Sequence, residues 1–323
     1  MHSARGKILV IRGGAIGDFI LTLPAIAALR RQFPEAHLEV LGYPHIIQLA
    51  AAGGLVDRAQ SIEARALAGF FARRGVLAED LADYFSEFDI ILSYLYDPDE
   101  IFKTNIARCS KAQFVVGPYR PNETEKVAAT KVYLQPLERF AIFDADPVPR
   151  LALPNKNGNL GAPGESCPTV VLHPGSGSEK KNWPEVRWAD LLQHLARSTD
   201  FKLLLVGGEA EGGRLQRLAA ALPVMRTKVA QSLPLTDLAR LIQPCAAFIG
   251  HDSGISHLAA ALGLPGIVLW GNTTEEIWRP PHERVVILKH PGGIRMIAVE
   301  QVMGKLNDML PARHGKRTDT TSS

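Results

Sequence analysis

The chain has 323 residues, enough for about two domains of ~150 residues each, and at 46% hydrophobic and 21% charged it is not disordered as a whole. Its 36 Lys and Arg against 33 Asp and Glu leave a net charge of +3, without the strongly basic balance of a nucleic-acid binder. Three widely spaced cysteines, Cys109, Cys167 and Cys245, have no CxxC or Cys/His ligand spacing. They argue against a disulfide framework or structural zinc and for a reducing, cytosolic compartment.

Residues 7–11 read as a buried strand, 19–31 as a helix with apolar residues at helical spacing, and 37–43, 89–95 and 113–116 as further strands. Residues 65–85 read as helical but broken at Gly75. The apolar run at Ile8–Ile11 stops at Arg12, too short for a signal-peptide core, and later runs are cut well before the ~20 residues of a membrane span. Peripheral contact with a membrane stays open. Residues 154–168 (PNKNGNLGAPGESCP) lack periodicity and are rich in Gly, Pro, Asn and Ser, so 156–168 is expected to link a first domain (1–155) to a second (169–298).

In the second half strands are expected at 169–173, 202–206, 224–229, 247–250, 266–270 and 285–288. A helix over 184–197 starts at Pro184 and puts Trp188, Leu191, Leu192 and Leu195 on one face. A last amphipathic helix covers 299–312, and the polar tail 313–323 is expected to be disordered. Alternation of this kind makes an α/β chain with two doubly wound parallel sheets, and ligands of such sheets sit beyond the carboxyl ends of the strands. Loops that follow strands are therefore where chemistry is sought.

The first such loop, RGGAIGD (12–18), lacks the 0, 2, 5 glycine spacing of GxGxxG and the Lys-Ser/Thr ending of a P-loop. It offers one carboxylate, Asp18, which suits either a helix cap or a general base facing a cleft. The second, HPGSGSEKKNWPE (173–185), combines small residues with Lys180 and Lys181, as an anion site would, although a solvated loop fits too. Ser176 is a binding candidate there but no nucleophile elbow, because GxSxG spacing is absent.

The third loop, GHDSGISHLAAALGLP (250–265), ends a strand and opens a helix whose free N–H groups and dipole would hold a phosphate, with His257 in the first turn. The structural alternative makes Asp252 a helix cap and His257 a satisfied core residue. GNTTEEIW (271–278) offers Thr273 and Thr274 as hydroxyl donors. VGGEAEGG (206–213) offers Glu209 and Glu211 to ribose hydroxyls, or simply to a helix dipole.

KILVIRGGAIGDFILTLPAIAALRRQFPEA, VVLHPGSGSEKKNWPEVRWADLL and FIGHDSGISHLAAALGLPGIVLWGNTTEEIWRP together resemble, in order and spacing, glycosyltransferase family 9, the ADP-heptose:lipopolysaccharide heptosyltransferases. The resemblance implies a GT-B fold of two Rossmann-like domains, with an N-terminal acceptor lobe facing a C-terminal nucleotide-sugar lobe. It implies Asp18 as catalytic base. Lys181, Asp252, Ser253, Gly254 and His257 become donor contacts, with Glu211, or its rival Glu209, as the ribose-binding acid. Ser176 and Thr273 join the donor candidates from their loops.

The sequence departs from the family at Asn272, where Pro is usual, and at Gly13, where a larger residue is commoner. The expected reaction is inverting transfer from ADP-heptose or a related donor to a glycolipid or glycan acceptor on the cytoplasmic side, with no metal or cofactor. Arg120, with Arg65, Arg73 and Arg74, could line an anionic acceptor site or simply form a solvated surface. A UDP-sugar GT-B enzyme and a non-catalytic nucleotide-sugar-binding protein are the competing readings, whereas a nicotinamide oxidoreductase is disfavoured by the failed GxGxxG.

Overall fold

A computed structural model describes residues 6–154 and 168–310. The expected linker and polar tail lie almost entirely outside the described residues. The first lobe is a five-stranded parallel sheet in the order β3-β2-β1-β4-β5, formed by β1 (Lys7–Arg12), β2 (His37–Gly42), β3 (Arg58–Ser61), β4 (Ile90–Ser93) and β5 (Gln113–Val116). Around it run α1 (Ile16–Gln32), α2 (Pro44–Ala52), α3 (Glu79–Ser86), α4 (Ile101–Ala107) and α5 (Ala129–Leu134). Central β1 is apolar on both faces because helices cover both, and Val10 is in register with Val40 on one side and Leu92 on the other.

The second lobe has six parallel strands in the order β11-β10-β9-β6-β7-β8: β6 (Thr169–Leu172), β7 (Lys202–Gly207), β8 (Thr227–Gln231), β9 (Ala247–His251), β10 (Gly266–Leu269) and β11 (Val285–Leu288). Its helices are α6 (Glu185–Ser198), α7 (Arg214–Ala219), α8 (Leu235–Ile242), α9 (Gly254–Ala261), α10 (Glu275–Trp278) and α11 (Val299–Met309).

Three expectations are corrected. Edge strand β3 escaped notice because RAQS carries no apolar alternation. Residues 65–85 form a 3-10 segment (Arg65–Phe71) followed by α3 rather than one broken helix. The segment 224–226 is a 3-10 turn, so β8 starts only at Thr227.

Both strand orders reverse beside the first strand of their lobe, between β1 and β4 and between β6 and β9. The crevice left at such a reversal is where a doubly wound sheet takes ligand. The 12–18 loop leaves β1 at one reversal. The 173–185 and 250–265 loops leave β6 and β9 at the other.

The lobes are pressed together by α1 against α9 and α2 against α8. One apolar cluster runs through both, joining Val10, Ile20 and Leu49 of the first lobe to Leu238, Phe248 and Leu258 of the second. Residues 151–153 are strapped onto the second lobe: Leu151 N–H donates to Ala261 O (2.8 Å), and Gln243 exchanges hydrogen bonds with the Leu153 backbone (2.8 and 3.1 Å).

The contact of α1 with α9 depends on two glycines. A Cβ on Gly254 would lie 2.7 Å from the branched Cβ of Ile16, and one on Gly17 would lie 3.2 Å from the His257 ring. Gly254→Ala is therefore expected to destabilise the protein by about 1–3 kcal/mol through overpacking, although alanine is the better helix former. Urea unfolding of the two proteins measures this, and equal midpoints would show that the helices need no such closeness.

Candidate active site

A cavity of about 750 Å³ opens between the lobes where the two reversals face each other. Asp18, Arg120, Lys181, Asp252, Ser253, Gly254, His257 and Thr273 all line it. Eight of the positions singled out from sequence thus share one space.

On the first lobe, the turn after β1 is possible because Gly14 takes φ +100°, and a Cβ there would also lie 2.9 Å from Asp18 Oδ2. Asp18 is the third residue of α1, and its Oδ2 accepts from the N–H of Ala15 (3.0 Å), the N-cap residue, which has no side-chain oxygen of its own. Capping and cavity lining are therefore one arrangement, not alternatives.

Beside it lies Arg12, only 3% exposed at the end of β1. Its guanidinium donates to Tyr119 O (2.9 Å) and Tyr94 O (3.3 Å), sits 4.5 Å from the Tyr133 ring centre, and reaches to 3.6 Å from Asp18 Oδ1. A buried arginine held at both ends of its fork thus fixes the acid's neighbourhood. Sequence reasoning missed Arg12, which looked only like the end of an apolar run.

On the second lobe, Lys181 Nζ meets Asp252 Oδ2 at 2.6 Å, joining the loop after β6 to the loop after β9. His251 sets the position of the lysine's loop. The Trp183 N–H donates to its Nε2 (2.9 Å), so Nδ1 carries the hydrogen and donates to Gly175 O (3.0 Å). Trp188 stands edge-on to that imidazole, and Trp183 donates to Ile297 O (3.1 Å). Ser253, not Asp252, caps α9, its Oγ accepting from Ser256 N–H. This leaves Asp252 for Lys181.

His257, in the first turn of α9, is buried with Nδ1 unpartnered among the described residues. Burial pushes its pKa down to about 4 against the pull of Asp252 and Asp18, so at neutral pH it is an uncharged imidazole able to donate one N–H. Thr273 is held by Trp270, whose indole N–H donates to its carbonyl (2.7 Å).

Two positions do not reach the cavity. Ser176 turns its hydroxyl onto Ser178 O (2.8 Å), and neighbouring Gly177 and Ser178 form the lining in its place. Glu211 is 8% exposed, with Oε2 accepting from the Gly208 N–H (2.6 Å) and Oε1 lying 3.9 Å from His173 Nε2. It braces its own loop. Of the four arginines considered for an anionic acceptor only Arg120 lines the cavity, stacked 5.4 Å from the Trp278 ring centre and paired with Glu123 (3.3 Å). Glu123 in turn accepts from Trp278 Nε1 (3.0 Å), which ties the lobes across the cavity mouth.

The profile of glycosyltransferase family 9 (heptosyltransferase) matches residues 143–299. Lipopolysaccharide heptosyltransferase 3 of Escherichia coli is 22% identical over 293 residues, covering 82% of this chain and 83% of the relative. Over residues 143–299 the chain is similar to glycosyltransferase family 9.

This glycosyltransferase has the GT-B fold. It superposes on Escherichia coli ADP-heptose lipopolysaccharide heptosyltransferase II with a TM-score of 0.75 at 18% identity, covering 94% of this chain and 98% of that one. It also superposes on an Escherichia coli heptosyltransferase solved with ADP, with a TM-score of 0.74 at 17% identity, covering 94% and 99%. Among the described residues no helix is long and apolar enough to cross a membrane.

Three histidines of the glycosyltransferase's second lobe are buried, and burial pushes them down to about 3 (His173) and about 4 (His251 and His257). In the unfolded chain each takes up a proton near pH 6.5, well above its folded value. Their contribution to stability is therefore complete above about pH 6.5 and is lost as pH falls toward 4. The urea midpoint is expected to drop steadily from pH 7 to pH 5, before carboxylates held low by ion pairs, such as Glu185 with Arg217, begin to protonate. A flat profile over that interval would contradict buried neutral imidazoles.

Proposed function

We propose that this glycosyltransferase moves a heptose, or a closely related sugar, from an ADP-sugar to an acceptor of the lipopolysaccharide-core type by a single inverting displacement. The observation that carries the reading is Asp18, anchored by Ala15 N–H beside buried Arg12 and lining the same cavity as Lys181, Asp252, Ser253 and His257. Its similarity to a lipopolysaccharide heptosyltransferase and to a heptosyltransferase solved with ADP supports the sugar, acceptor and nucleotide classes.

In this reading the acceptor oxygen attacks the anomeric carbon and its proton passes to Asp18. The bond from that carbon to the diphosphate breaks, and ADP leaves with the electron pair. A sugar hydroxyl is too weak an acid to ionise freely at neutral pH, so a positioned base contributes roughly 10²- to 10⁴-fold.

Negative charge growing on the diphosphate would meet the first-turn amides of α9, the His257 N–H and Lys181. Lys181 has three donors, so the ion pair with Asp252 holds the ammonium in place while leaving others for phosphate oxygens. The nucleotide-sugar is a substrate in this scheme, and no resident cofactor takes part.

Asp18→Asn keeps the shape but not the basicity. It is expected to lower kcat by roughly 10²- to 10⁴-fold while leaving ADP affinity by calorimetry unchanged. Transfer rates equal to wild type would remove Asp18 from the base role. Tighter binding of UDP than of ADP in the same titrations would move the donor to another nucleotide class, and absence of transfer in both proteins would leave a nucleotide-sugar-binding module.

A further inference from the structure

The wall of the cavity on the first lobe carries two tyrosines that the proton and diphosphate chemistry does not use. Tyr96 follows β4 and Tyr119 follows β5, the neighbouring edge strand, and both line the cavity that Asp18 lines. They are 68% and 48% exposed, with ring centres 4.6 Å apart and planes inclined at 60°. Two large rings left open to water side by side at a cavity mouth are a recognition surface, because the fold gains little from them there.

The cations of the cavity are already engaged. Arg12 is buried and committed to the Tyr94 and Tyr119 carbonyls, Arg120 is held by Glu123 and the Trp278 ring, and Lys181 is paired with Asp252. Arg73, outside the lining, pairs with Asp99. The floor beside the rings is open at Gly13, where even a Cβ would make only ordinary contact with Leu95 and Tyr43.

We propose that Tyr96 and Tyr119 form a platform for the apolar face of an uncharged pyranose ring of the acceptor, so that this enzyme selects a neutral sugar beside the reacting hydroxyl. The axial C–H bonds of such a face carry slight positive charge and meet the negative face of an aromatic ring, while the equatorial hydroxyls stay at the rim in water. Rings at 60° make a corner in which one takes the face of the sugar and the other its edge. A carboxylated or phosphorylated ring would be repelled by the same electron-rich faces. The inference deepens the proposed transfer reaction and rests on its placement of the acceptor against the first lobe.

Saturation-transfer NMR on ADP-saturated protein tests the platform, with methyl β-D-glucopyranoside and methyl β-D-glucuronide as probes. The glucoside is expected to be saturated most strongly at H1, H3 and H5, the hydrogens of its apolar face, and the glucuronide more weakly. The signal should persist in Tyr96→Phe and Tyr119→Phe and vanish when both tyrosines become alanine, with ADP affinity unchanged. In transfer assays on lipopolysaccharide core oligosaccharides, the double alanine variant should raise the acceptor KM about tenfold and leave the donor KM alone. No saturation in the wild type, saturation that survives the double alanine change, or preference for the glucuronide would each overturn the platform. Failure of every form to bind ADP would count against the donor reading instead, and the NMR of the nucleotide-free protein then decides the platform separately.

Discussion

Everything at the cleft depends on the N-termini of two helices, one from each lobe, coming within van der Waals reach of each other. The positive ends of α1 and α9 would repel if left bare. Asp18 in the first turn of α1 and Asp252 just ahead of the α9 cap offset them, and Arg12 and Lys181 in turn hold those two carboxylates. The layered charges leave a cavity lined by paired acids and bases from both lobes, with each carboxylate beside its own cation. Gly17 and Gly254 are the steric condition for that closeness.

Preorganisation on the second lobe comes from neutral groups. His251 receives one hydrogen bond from the loop that carries Lys181 and gives another back to it, so the imidazole acts as a rivet between β9 and residues 175–183. Its burial among tryptophans keeps it uncharged, as a rivet with one donor and one acceptor must be. Lys181 itself stays 39% exposed at the side chain, with its ammonium held by Asp252.

Much of this was legible in the sequence because strand-helix alternation and the glycine-bearing loops after β1, β6 and β9 are local signals. Asp18, Lys181, Asp252 and His257 stand in those loops and arrive together once the sheets form. Ser176 and Glu211 stand in such loops as well, but their side chains turn inward to close their own turns, and the direction of a side chain is not written in spacing. Arg12 was hidden by its strand, and Tyr96 and Tyr119 by loops with no motif. The arginines of 65–74 looked like one basic group, yet the fold puts Arg65, Arg73 and Arg74 outside the cavity lining. Strand β3 shows the same limit for backbone, since a polar edge strand is specified by its neighbour rather than by itself.

The strap at residues 151–153 has a consequence for how the polypeptide could be divided. Before the chain enters the second sheet it has already donated a backbone hydrogen bond to the end of α9 and exchanged two with Gln243 beyond α8, next to the apolar cluster that both lobes share. A fragment cut after Leu153 would carry away a piece that the other half requires, and a fragment cut before it would bare oily surface on both. Covalent order and architectural order are offset by a few residues, and that offset makes the two halves halves of one object rather than separable parts.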